Sequence, residues 1–297
     1  MKTLNMNQLQ RIHLLFGLLE RKPYSSLEAI ITHFELYDLP LNERTFYRLN
    51  KDLRTKFKIE IIFDHSQNGY FIDEENSVNL DSFLILVKTM SMSDYLFSKS
   101  NLTETLSFIS FEKYESTDTV FNFKTVVNAI ESKLEINFKH FSFYHQNESD
   151  YSLKPYAIKQ YQNRWYVIGE TPKGYRTFGI DRISDIKLGT KKIKIKTEEA
   201  LDMFSSVVGL NFSDHKKEKV QLSFHASQKH YVASLPLHKS QQVIDDAERY
   251  TIEITVHPNF ELKQQILKYG GLVKVINPKW FAEEIKADIL KAYEQYL

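Results

Sequence analysis

An α+β chain of several domains is what three changes of pattern along this sequence predict. Apolar residues recur at helical spacing up to residue 57 and again from about 79 to 133. Short runs rich in β-branched and aromatic residues take over from Glu135, and from Val220 onward strand-like and helical runs alternate. At 297 residues the chain can form one large domain or two to three small ones, and hydrophobic burial alone can stabilise it.

The first helix is carried by Leu9, Ile12, Phe16 and Leu19. Its run Ile12 to Leu19 is too short for a membrane span. Glu20-Arg21-Lys22 follows where a cleavage site would need small residues, so no targeting segment and no membrane partner are expected. Ser25-Ser26 offers a polar cap for a second helix with Leu27, Ile30, Ile31 and Phe34, which ends at Asp38-Leu39-Pro40. Asn42 is a good N-cap for a third helix, Glu43 to Phe57, with Phe46, Leu49, Leu53 and Phe57 on one side. Arg44, Tyr47, Arg48, Lys51 and Arg54 lie opposite. Glu60 to Phe63 and Tyr70 to Ile72, separated by a polar turn with Asn68-Gly69, read as a hairpin. Three helices followed by a hairpin suggest a winged helix-turn-helix.

Residues 79–133, with Leu80, Phe83, Leu84, Val87 and later Val126, Val127, Ile130 and Leu134, read as linker helices. The strands after Glu135 are separated by Gln160 to Asn163 and Thr171 to Gly174, and predict a small five-stranded barrel. After a connector over about 197–217 come a strand (Val220 to Phe224), a helix (Ala226 to Leu235) and two strands (Gln241 to Asp245, Tyr250 to Val256). A helix (Phe260 to Lys268), a strand (Leu272 to Ile276) and a terminal helix after Pro278 complete a ferredoxin-like βαββαβ order.

With no cysteine, a disulfide framework, a thiolate metal site and a cysteine nucleophile are excluded; a reducing, cytoplasmic setting fits. No Gly-x-Ser-x-Gly elbow, phosphate loop, dinucleotide fingerprint or His-Glu-x-x-His pair occurs, so neither an enzyme nor a cofactor is expected. The ten histidines are scattered, and His140 with His145 lacks a ligand spacing, so no metal site is expected either. A net charge of +1 is incompatible with a uniformly basic coat; a nucleic-acid surface must come from local clustering.

The clearest cluster is on the third helix. A cationic side is also what an ordinary solvated helix presents, but here the helix follows a short turn after another helix and precedes a hairpin. That context points to double-stranded DNA, with Asn42, Glu43, Arg44, Thr45 and Tyr47 reaching bases or phosphates and Arg48, Lys51 and Arg54 mainly holding phosphates. The stretch Asn42-Glu43-Arg44-Thr45-Phe46-Tyr47-Arg48, with Gly69-Tyr70 in the hairpin, resembles the DeoR-type winged helix of bacterial regulators. That family's pattern is Arg-Thr-Ile-x-Arg-Asp, and Leu49 stands here where the aspartate would.

A second resemblance rests on Arg164-Trp165-Tyr166-Val167 and on Tyr175-Arg176-Thr177-Phe178-Gly179-Ile180-Asp181-Arg182-Ile183, which resemble the WYL domain, with Val167 in place of the namesake leucine. Leu237 to Gln241 and Leu267 to Pro278 resemble the WCX extension that commonly follows it. The resemblance implies an Sm-like or SH3-like β-barrel that senses nucleic-acid strands or nucleotide-like ligands. The expected division is a winged helix at 1–75, a helical linker at 76–133, the WYL barrel at 134–198, a connector at 199–217 and a WCX ferredoxin-like domain at 218–297.

Strand alternation puts Trp165 and Val167 on one face, the former expected in the core, and Arg164, Tyr166 and Ile168 on the other. Arg164 as a solvated strand residue and Tyr166 as a packed one are the alternatives to ligand contact. The resemblance tips Arg176 and Arg182 towards a basic pocket, because guanidinium groups pair with phosphate and stack on bases. Asp181 reads either as a turn residue or as an ion-pair partner positioning Arg182. Lys154 and Tyr156, beside Pro155, are further ligand-binding candidates. The resulting expectation is a DNA-binding transcriptional regulator, acting as a homodimer, whose WYL domain takes an anionic single-stranded nucleic acid or nucleotide effector. The alternative is an accessory protein that grips single-stranded DNA or RNA through the barrel for a partner machine.

Overall fold

The computed structural model describes residues 6–110, 119–211 and 215–297, and divides the chain into two compact units, Met1–Lys113 and Tyr114–Leu297.

The first unit opens with α1 (Met6–Arg21), α2 (Leu27–Glu35) and α3 (Glu43–Asp52). The Ser26 hydroxyl accepts from the Ala29 amide at 3.2 Å, and Asn42 Oδ1 from the Thr45 amide at 2.8 Å. Each bond satisfies one of the donors a helix start leaves over. α3 loosens into a π turn at Leu53–Phe57, and Lys58 in the left-handed region (φ 58°) turns the chain into β1 (Glu60–Asp64), which pairs antiparallel with β2 (Gly69–Asp73). The hairpin is tied back to the start of α2 by the Tyr70 amide, which donates to Ser25 O at 2.8 Å. That approach requires Gly69, since a Cβ there would lie 1.9 Å from Tyr24 O.

Ile12, Leu15 and Phe16 of α1, Ile30 and Phe34 of α2, Phe46 and Leu49 of α3, and Ile61 and Tyr70 of the hairpin close one core. α4 (Leu80–Phe97) joins it through Val87 and through Phe83, whose ring meets Phe16 at 6.0 Å and Phe57 at 5.0 Å; α5 (Leu102–Ser107) follows. The helix expected as a linker is therefore half core. The reason is composition: α4 is apolar nearly all round, so one face had to find a partner.

The second unit starts with α6 (Thr119–Ser132), which lies on a five-stranded antiparallel sheet of order β6-β5-β4-β3-β7. The strands are β3 (Leu134–Ser142), β4 (Asn147–Tyr161), β5 (Arg164–Thr171), β6 (Gly174–Gly179) and β7 (Ile183–Lys192). Five strands were expected, but the expected closed barrel is corrected: among the described residues β6 and β7 do not pair. β6 has only six residues and runs straight into a 3-10 turn, Ile180–Arg182, that carries the chain to the far edge without a ladder. Asn122 of α6 pins that turn, its Nδ2 donating to Ile183 O at 2.8 Å and Ile180 O at 3.2 Å. The β4–β5 connection is a two-residue turn with Gln162 and Asn163 both at positive φ, the geometry a twisted hairpin favours.

The stretch read as a connector contains α7 (Thr197–Ser205), whose Ala200 and Phe204 pack with Tyr156 and Ile168 on the sheet face opposite α6. Sequence reading missed it because four apolar residues in a nine-residue stretch, only Ala200 and Phe204 of them buried, give a weak periodic signal. Beyond it, β8 (Glu218–His225), α8 (Lys229–Ser234), β9 (Gln242–Asp245), β10 (Arg249–Val256), α9 (Phe260–Leu267), β11 (Val273–Asn277) and α10 (Lys279–Glu294) build an antiparallel sheet of order β11-β8-β10-β9. Val220, Leu222, Phe224, Ile252 and Ile254 pack with Val232, Leu262, Ile266, Phe281 and Ile285 of the helices. The segment after α7 is held on both sides. Lys159 Nζ of β4 donates to Gly209 O at 2.7 Å, while Asn259 and Glu261, at the start of α9, bond the backbone of Val208, Leu210 and Asn211.

No helix among the described residues is long and apolar enough to cross a membrane.

Candidate nucleic-acid and anion sites

α3 presents Glu43, Arg44, Tyr47, Arg48 and Lys51 to solvent, with Thr45 half-buried. Among the described residues Arg44, Arg48 and Lys51 have no carboxylate partner. Asn42 is committed to its cap, and Arg54, in the π turn, is taken by Glu60 at 2.6 Å, which leaves it less charge to offer than its neighbours. Tyr47 is 48 % exposed, and its hydroxyl accepts from Tyr70 at 3.4 Å, so the helix face and the hairpin are joined at that point. Burial, then the Tyr47 hydrogen bond, pushes the Tyr70 hydroxyl up to about 12; it is a neutral donor at any ordinary pH.

On the WYL-like sheet the six predicted ligand residues separate into three places. Arg164 and Tyr166 share a face of β5, and the turn after β6 brings Asp181 and Arg182 to them. Arg164 Nη1 lies 3.2 Å from Asp181 Oδ2, so the ion-pair partner of Asp181 is Arg164 and not the expected Arg182. The Arg182 guanidinium sits over the Phe143 ring, 4.7 Å from its centroid. Burial pushes the Tyr166 hydroxyl up against the opposing pull of Arg164 and Arg182. His140 of β3, opposite Ile183 of β7, packs edge-on to Phe178 at 5.1 Å; burial and then Arg182 push its pKa down to about 4, so it is neutral.

Among the described residues, three buried side-chain atoms in this one cluster have no hydrogen-bond partner: His140 Nε2, Asp181 Oδ1 and Arg182 Nε. Buried polar atoms are rarely left this way, and three lie together here. Phe143 and His140 were not singled out by sequence reading for this site. Their proximity to Arg182 arises from the pairing of β3 with β7, which leaves no local sequence signal.

Lys154 and Tyr156 are elsewhere. Glu170 accepts from the Tyr156 hydroxyl at 2.8 Å and from Lys154 Nζ at 3.2 Å, near the far end of β5, and both groups are satisfied there. Burial, then Glu170, raises the Tyr156 hydroxyl well above the usual phenol range. Arg176 is exposed opposite Gly169, about 17 Å along β5 from Arg164 and on the other face. Neither place joins the Arg164–Arg182 pair.

Trp165 is also corrected: it is 37 % exposed, its ring meeting Phe123 of α6 edge-on at 5.1 Å. The strand alternation was right, since Val167 on the same face is fully buried, but Trp165 lies next to the β4–β5 turn, where the core gives out. Among the described residues no three His, Asp or Glu side chains gather to hold a metal ion.

Residues 122–188 match the model of the WYL domain and residues 216–293 that of the WCX domain. The first match begins within α6, the helix pinned to the 3-10 turn. Among solved structures, proteasome accessory factor B/C (PafBC) of Arthrobacter aurescens is 13 % identical over 99 % of this chain and 49 % of its own, with a TM-score of 0.33. The chain thus spans about half the length of that protein. A CRISPR Cas-related protein is 10 % identical over 100 % of this chain and 87 % of its own, with a TM-score of 0.43. No curated protein matches the chain.

Proposed function

We propose that this chain, which carries a WYL domain followed by a WCX domain, is a DNA-binding transcriptional regulator whose WYL domain senses a nucleic-acid or nucleotide-like anion. The observation that carries the reading is the Arg164–Arg182 cluster: two guanidinium groups beside Tyr166 and Phe143, with Arg182 Nε buried and unpaired inside the WYL segment. A phosphate oxygen supplies what that nitrogen lacks, and an aromatic ring beside it suits a base. Catalysis is no part of this reading, and neither is a cofactor.

The first unit is read as a winged helix-turn-helix, α3 entering the major groove of duplex DNA and the β1–β2 hairpin serving as wing. Arg44, Arg48 and Lys51, without acidic partners among the described residues, support it. The WCX part is read as ferredoxin-like from its strand order. A homodimer is proposed on the outward side of α4, where Ile85, Leu86, Met92 and Phe97 are each more than half exposed, an apolar face that a second copy would cover. The protein is read as cytoplasmic. Effector binding alters operator affinity, which by linkage requires that operator alter effector affinity equally.

The test is titration of the purified protein against the DNA upstream of its own gene, scrambled duplex and single strands across a salt series. Preference for the upstream duplex supports a regulator. Single-strand preference without duplex discrimination supports the accessory single-strand binder, a reading favoured by the exposed Phe143, Tyr144 and Trp165.

A further inference from the structure

Asp181 is the carboxylate that an incoming anion meets at Arg164. Its Oδ2 is 3.2 Å from Arg164 Nη1, its Oδ1 is buried and unpaired, and its side chain and that of Arg182 fold back over Gly179. A Cβ added to Gly179 would meet Asp181 Oδ1 at 2.7 Å and Arg182 Nε at 2.9 Å, so the glycine is what lets both side chains approach. The cluster is thus two guanidinium groups already half-neutralised by one internal carboxylate, with His140 beside them uncharged.

A ligand that engages both arginines must compete with that carboxylate, either displacing it from Arg164 Nη1 or sharing the guanidinium with it against its charge. A phosphodiester group of a strand interior carries one negative charge, no more than the carboxylate it competes with, and so gains little at this site. A terminal phosphate carries about −1.5 to −2 and three acceptor oxygens, enough to bridge Arg164 and the unpaired Arg182 Nε at once. We propose that Asp181 makes this site selective for a terminal phosphate monoester, on a strand end or a nucleotide, over internal phosphodiester backbone. Phe143, 53 % exposed beneath the Arg182 guanidinium, and half-buried Tyr166 then flank the first base. The inference rests on the anion-site reading above and adds to it the ligand's charge class and the residue that sets it.

The experiment uses the full chain and a 3′-fluorescein pentathymidylate bearing either a 5′-phosphate or a 5′-hydroxyl, read by anisotropy, with wild type, Asp181→Asn and Arg182→Ala. Wild type is expected to prefer the 5′-phosphate by about tenfold or more, about 1.4 kcal/mol. In Asp181→Asn the 5′-hydroxyl strand binds more tightly and the preference shrinks to about twofold, within the range of a single coupling. Arg182→Ala loses both strands. Thymidine 5′-monophosphate as competitor identifies the source: displacement at strand-like affinity means a free nucleotide suffices, and displacement only at far higher concentration means a strand end is the ligand. No displacement at all contradicts the proposal.

Equal wild-type affinity for the two ends, with Arg182→Ala still abolishing binding, overturns the phosphate selectivity and leaves the anion site standing. An undiminished preference in Asp181→Asn overturns the role of Asp181. Absence of any binding by a wild type that melts cooperatively overturns the anion-site reading itself. The wild-type comparison of the two ends decides the selectivity even if Asp181→Asn does not fold.

Discussion

The cationic face of α3 and the cationic pair on the WYL sheet use the same side chain in opposite settings. Arg44 and Arg48 project from the solvent face of α3 with no acid partner among the described residues, so their charge is available at long range, unshaped, and screened by salt. Arg164 and Arg182 are held by Asp181, Phe143 and the glycine beneath them, with one nitrogen buried. The first arrangement suits a polyanion whose phosphates repeat along a groove. The second suits one anion recognised by geometry. Both arginine pairs lie in a chain of net charge +1, which shows how little the total charge says about either.

Variants that break the comparison should act on one unit and spare the other. The largest effect is expected from Phe34→Ala, a fully buried ring in the core of the first unit, which should cost about 3–5 kcal/mol there. Duplex binding is lost while strand binding at the WYL sheet persists; melting followed by calorimetry should show one transition moving and the other staying. Next is Arg182→Ala, which should lower effector affinity by roughly a hundredfold, since it removes a charged hydrogen-bond donor from a buried site, and leave duplex affinity within about twofold. Competition titrations read both quantities.

Arg48→Ala should weaken operator binding more modestly and reduce the slope of log affinity against log salt by about 1, with effector binding unchanged. Asn42→Ala removes the cap of α3 and should destabilise the first unit by about 1 kcal/mol, visible by urea unfolding. The last prediction concerns pH. His140 titrates near 4 when folded against 6.5 when free, so the unfolded chain takes up its proton first. Stability of the second unit should therefore be lost as pH falls from about 6.5 to about 4 and should not change on this account above that window. His140→Gln should flatten part of that loss; His238, lowered mainly by burial in the same unit, supplies another part.

The sequence disclosed the local features of this molecule and concealed the long-range ones. The caps Ser26 and Asn42, the hairpin at Asn68-Gly69 and the strand-helix order after Val220 all depend on residues close together in the chain, and each element was legible. α7 was missed because its burial comes from Tyr156 and Ile168, distant residues with no imprint on its own nine. The open sheet was expected as a barrel because strand number is readable, whereas edge pairing depends on the short β6 and the turn pinned by Asn122.

The candidate site divides in the same way. Arg164, Tyr166 and Arg182 were named from their motifs, and the cluster that joins them also needed His140 and Phe143, brought in by the pairing of β3 with β7. The resemblance grouped Arg176 with Arg182, whereas its register opposite Gly169 puts it on the other face from Arg164. Trp165 shows the limit of the same rule, since alternation assigns a face but not how far the core extends along it.

The most direct test of two separate anion sites is a paired titration of wild type, Arg48→Ala and Arg182→Ala against the upstream duplex and against the 5′-phosphorylated strand, across one salt series. The account predicts a crossed result: Arg48→Ala loses duplex affinity and keeps the strand, and Arg182→Ala loses the strand and keeps the duplex. Loss of both ligands in both folded variants would contradict it, and would mean that one continuous surface, not two, binds nucleic acid.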